Sequence, residues 1–73
     1  MTNTIALRNK IDEKGLKYNY IAKQLGLSPY GFQLKVDGRN EFVGSEIAKL
    51  CEILGITTTK ELKAIFFNNV VAK

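Results

Sequence analysis

Apolar residues recur along this chain in short runs with helical spacing, and a glycine or a capping polar residue interrupts each run. Leu7 and Ile11 stand four apart and share one face. Asn3 or Thr4 offers a capping side chain before them, and Gly15 follows Lys14 where a left-handed residue stops a helix. The pattern predicts a first helix over 4–14, after which Leu16 turns back inward. Ile21, Ala22 and Leu25 form the stripe of a second helix over 18–25, ended by Gly26. Ser28-Pro29 opens a third over 29–36: the serine caps, and the proline gives up a donor that would have no partner in the first turn. Phe32 and Val36 are its inward pair. Asp37-Gly38 is a turn signal, and Phe42 plugs back into the core. Ile47, Leu50, Cys51 and Leu54 make a full helical face and predict a fourth helix over 45–54, stopped by Gly55. Thr58-x-x-Glu61 is a capping box for a fifth over 59–67, with Leu62, Ile65 and Phe66 inward. Residues 68–73 read as a short apolar tail. No period-two alternation appears before that tail. The expected fold is all-α: a compact five-helix bundle, one domain over 1–73.

Only Gly26-Leu27-Ser28 separates the second and third predicted helices. Two short helices around a three-residue turn containing glycine make a helix-turn-helix. Ala22 must be small where the third helix crosses the second. Gly26 takes a backbone shape that strains other residues. Ile21, Leu27 and Phe32 lock the crossing. The third helix then displays its outer face, and an α-helix fits the major groove of B-DNA.

Charge sharpens this picture. The net charge is +4. Residues 1–40 carry seven basic and three acidic side chains, and residues 41–73 carry four of each, so the whole excess lies in the first half. A polyanion such as DNA is the natural partner. An enzyme is not expected. There is no histidine to activate the single cysteine, Cys51. No metal-ligand cluster, phosphate-binding glycine loop or carboxylate pair set in a cleft is visible, so no cofactor and no metal are expected. A chain of 73 residues has little room for a deep cleft beside a core. The lone thiol fits a reducing cytoplasm. No apolar run approaches the roughly 18 residues of a membrane span, and the charged start Met1–Lys10 has no signal-peptide core.

Lys14-Gly15-Leu16, Ile21-Ala22, Leu25-Gly26-Leu27-Ser28, Phe32, Gly38, Glu41-Phe42, Glu46-Ile47, Ile53-Leu54 and Ile65-Phe66-Phe67 occur in that order over about residues 5–67. Together they resemble the phage Cro and repressor class of helix-turn-helix regulators, the XRE type. The resemblance is closest to small single-domain regulators from phages of Gram-positive bacteria. It implies a lambda-repressor-like DNA-binding domain, double-stranded operator DNA as partner, and a part in a lysogenic/lytic switch within the bacterial host cytoplasm. It also implies an alternative. Some members of such switches are antirepressors or modulators of repression, and bind the cognate phage repressor protein.

Candidate contact residues follow from the third helix outward. Pro29 and Gly31 have no side-chain donor, which leaves Ser28, Tyr30, Gln33 and Lys35 as polar readers. Gln33 can pair with adenine through two hydrogen bonds. Tyr30 suits a phosphate, a thymine methyl or a protein pocket. Leu34 is apolar on the presumed outer face; with Tyr18, Tyr20 and Tyr30 it offers a patch for a partner protein. Lys35, Arg39 and Asn40 flank the recognition helix as phosphate contacts, and Lys17, Tyr18 and Asn19 do so at the start of the second helix. So few polar readers give weak discrimination. A homodimer would double them, with half-sites about 34 Å apart.

Overall fold

The computed structural model describes residues 1–67, and the tail expected over 68–73 lies outside the described residues. Five α-helices form among the described residues: α1 (Thr4–Lys14), α2 (Tyr18–Leu25), α3 (Pro29–Val36), α4 (Gly44–Leu54) and α5 (Thr59–Phe66). Among the described residues there is no strand.

The ends of the helices are set by local chemistry. Asn3 Oδ1 accepts from the Ala6 amide at 3.0 Å, Ser28 Oγ from Gly31 at 3.0 Å, and Thr58 Oγ1 from Glu61 at 3.2 Å. Each satisfies one of the orphan donors of a helix start. At α4 the direction is reversed: the Val43 amide donates to the carboxylate of Glu46 at 3.0 Å. The Thr58–Glu61 box is only half formed. Glu61 turns its carboxylate to Lys10 Nζ of α1, at 2.9 Å, so it serves a tertiary contact in place of the second cap bond. α5 stops at Phe66, one residue earlier than expected. Phe67 leaves the helical region (φ −128°, ψ 46°) and is 51 % exposed, so it does not join the core.

Each helix buries a narrow stripe, and the stripes meet in one core. Leu7 and Ile11 come from α1, Ile21 and Ala22 from α2, Phe32 and Val36 from α3, Leu50 and Leu54 from α4, Ile65 and Phe66 from α5. Phe42 and Ile56 fill it from the loops. Ile47, expected in the core, is only half-buried, because it borders a groove between α4 and α5. Four aromatic rings run through this core edge to face: Tyr18 to Phe32 (5.8 Å between centroids), Phe32 to Phe42 (6.1 Å) and Phe42 to Phe66 (5.9 Å). Such pairs add about 0.5–1.5 kcal/mol each beyond burial. The Asn3 amide also donates to the Ile65 carbonyl at 2.7 Å, which fastens the start of α1 to α5. No helix among the described residues is long and apolar enough to cross a membrane.

Candidate nucleic-acid interface

α2 and α3 pack directly on each other. The chain leaves α2 through Gly26 at φ +74°, a left-handed shape that costs other residues about 1–2 kcal/mol. The Leu27 amide then donates back to the Ala22 carbonyl at 2.9 Å, closing the turn. Ala22 is buried at the crossing, and Phe32 and Val36 are wholly buried beneath α3. With Phe32 and Val36 fixed inward, helical periodicity sends the other positions elsewhere. Tyr30 is 73 % exposed, Gln33 is exposed, and Leu34 is half-buried outside the core cluster.

The ten candidate contact residues divide by what already occupies their polar atoms. Lys17 and Asn19 are exposed at the start of α2, and Arg39 and Asn40 are exposed after α3. The backbone amides of Arg39 and Asn40 donate to the Leu34 carbonyl at 2.9 and 3.3 Å, so the turn after α3 is fastened while both side chains stay outside. Neither Lys17 nor Arg39 makes an ion pair among the described residues. Ser28 keeps its hydroxyl proton but spends its oxygen on the cap.

Two placements differ from expectation. Tyr18 is half-buried with its ring edge to face against Phe32, so its ring joins the aromatic stack. Lys35 is not a free cation. Its ammonium meets Glu46 of α4 at 2.5 Å, and the two side chains are 15 % and 12 % exposed. The same carboxylate oxygen caps Val43. Burial pushes the Glu46 carboxyl upward, but the bonds from Lys35 and Val43 outweigh it and hold the group below its ordinary value of 4.5.

This pair carries a pH signature. A carboxylate lowered in the folded state adds stability above its unfolded pKa, and that stability is lost as pH falls through the folded pKa. Glu46→Gln should therefore cost about 1–2 kcal/mol at pH 7. The gap should close as pH drops below 4.5. Urea melts of both proteins between pH 7 and 3 check this; a gap independent of pH refutes it.

Other groups near α3 had no signal in the sequence. Arg8 of α1 pairs with Asp37, 29 residues away, and that carboxylate also accepts from Gln33 Nε2 at 3.0 Å. Only the Gln33–Asp37 part, at i and i+4, was open to detection by spacing. Of the cations in the first half, Arg8, Lys10 and Lys35 are thus each paired, and the excess positive charge resides chiefly on Lys14, Lys17, Lys23 and Arg39.

On another side, a groove of about 370 Å³ runs between α4 and α5, lined by Ile47, Ala48, Cys51, Ile56 and Leu62 with Thr57–Thr59. Burial, and then the charge of Glu61, push the Cys51 thiol up, so it stays protonated at neutral pH and is a poor nucleophile. Among the described residues no three His, Cys, Asp or Glu side chains stand together as a metal site. In comparisons with family models, curated proteins and solved structures, the chain matches none.

Proposed function

We propose that this domain is a phage-type transcriptional regulator that binds double-stranded operator DNA through α3, in a lysogenic/lytic switch inside a bacterial host, and that it is not a catalyst. The observation that supports this most is the two-sidedness of α3. Phe32 and Val36 lie at zero exposure beneath it, while Tyr30 and Gln33 stand in solvent. α3 is anchored by its inner face and leaves an outer face free to enter a groove.

In this reading Lys17, Asn19, Arg39 and Asn40 meet phosphates and fix the register of α3. Gln33 reads adenine, and Tyr30 meets a phosphate or a thymine methyl. Lys35 acts through Glu46 as a strut between α3 and α4. Two copies on a symmetric operator would bring the readers to half-sites about 34 Å apart. The test is binding to the promoter region beside its own gene at 50 and 200 mM salt. The two cations among the phosphate contacts, Lys17 and Arg39, set the salt slope and predict a loss of affinity of roughly 12-fold per bound copy between the two. Absence of binding at 50 mM overturns the proposal.

A second reading has its own support. Tyr30 and Leu34, four apart on α3, present an aromatic and an aliphatic group side by side at the surface. That pair suits docking on the cognate phage repressor, which would make the protein an antirepressor. Capture of the purified repressor, with no DNA bound at low salt, favours it.

A further inference from the structure

On the DNA-binding reading, what holds Gln33 decides how it can meet a base. A free glutamine side chain has three rotatable bonds and an amide whose two ends can exchange, so ordering it against a base costs entropy. To read adenine, the amide must offer its carbonyl oxygen to the N6 amino group and one N–H to N7. Asp37 lies one turn beyond Gln33, and its Oδ1 accepts from Gln33 Nε2 at 3.0 Å. The same oxygen accepts from the Arg8 guanidinium, which reaches over from α1. The carboxylate is thus held from a second helix. As a carboxylate it only accepts, so it selects the nitrogen end of the amide and rejects the oxygen end. One Nε2 hydrogen is used, while Oε1 and the other hydrogen stay available for a base.

We propose that Asp37, steadied by Arg8, is a positioning residue that presets the amide of Gln33 for adenine. It does so at a cost in affinity. Asp37 puts an exposed negative charge at the end of α3, and it neutralises Arg8. Asp37 therefore raises discrimination while lowering general attraction to DNA.

The opposite signs make the test sharp. A randomised 20-base-pair duplex pool is selected with the wild type, Gln33→Ala, Asp37→Ala and Asp37→Asn. Gln33→Ala identifies the base position that Gln33 reads. At that position, and not at others, Asp37→Ala should weaken the adenine preference about 3- to 10-fold. Its affinity for a duplex of unselected sequence should rise, by up to about 8-fold for the charge released. Asp37→Asn keeps the oxygen that Arg8 holds, so that oxygen still accepts from Gln33 Nε2 and most of the preference should stay, while the charge is lost. The proposal is overturned if Asp37→Ala leaves the preference intact, if preference and general affinity fall together, or if Asp37→Asn loses as much preference as Asp37→Ala. A wild-type pool without enrichment overturns the DNA-binding reading and this inference with it. Enrichment with an unaltered Asp37→Ala pattern removes this inference alone.

Discussion

Phe32→Ala should leave the domain largely unfolded at 25 °C. The Phe32 side chain is fully buried and is the largest one so enclosed. Truncating a buried phenylalanine costs about 3–5 kcal/mol, from lost transfer energy and the void left behind. Here the ring also contacts two others, Tyr18 and Phe42, edge to face. A core in a chain of this length supplies only about 3–5 kcal/mol in all. The loss therefore matches the whole margin. Helical circular dichroism and a urea melt decide it. A cooperative transition with a loss under about 1.5 kcal/mol would show that the neighbouring rings close over the gap and that α3 is anchored by something else.

On the proposed DNA-binding reading, removing both Lys17 and Arg39 should weaken DNA binding about 60-fold at 0.1 M salt without disturbing the fold. Both are exposed, and neither has an acidic partner among the described residues. Each phosphate contact adds about 0.9 to the slope of log affinity against log salt, which is close to 8-fold per contact at 0.1 M. The double variant Lys17→Ala/Arg39→Ala should accordingly flatten the slope by about 2 and lose affinity evenly across sequences. Its melting temperature should stay close to that of the wild type, since both side chains are exposed and outside ion pairs, and Lys17, at the N-cap of α2, makes no side-chain cap bond. An unchanged slope would mean that these two residues do not touch the backbone of the DNA, whatever happens to affinity.

The helices were legible because their signals are local. Asn3, Ser28 and Thr58 each cap within three residues, Gly15, Gly26 and Gly55 each stop a helix at positive φ, and the apolar stripes need only one turn of periodicity. The site was less legible because its polar atoms are shared between distant segments. Lys35 reads as a free cation until α4 brings Glu46 against it. Arg8 reads as a surface charge until α1 crosses near the end of α3. Tyr18 has the composition of a contact residue, but the angle between α2 and α3 turns its ring onto Phe32. Helix crossing angles come from the packing of whole faces, and no sequence period encodes them. The fifth helix shows the same limit from the other side. Its capping box reads correctly as a start signal, while the glutamate in it is diverted to Lys10.

The run of rings from Tyr18 to Phe66 has a consequence for how the molecule comes apart. It joins α2, α3, the loop at Phe42 and α5 in series, with each ring depending on the next for its contact. No half of the chain therefore owns a complete interior. Local opening of α5 exposes Phe42 and then loosens the floor under α3. α3 should consequently have no private route to disorder, and its amides should exchange with solvent only in step with those of the last helix, as one cooperative unit.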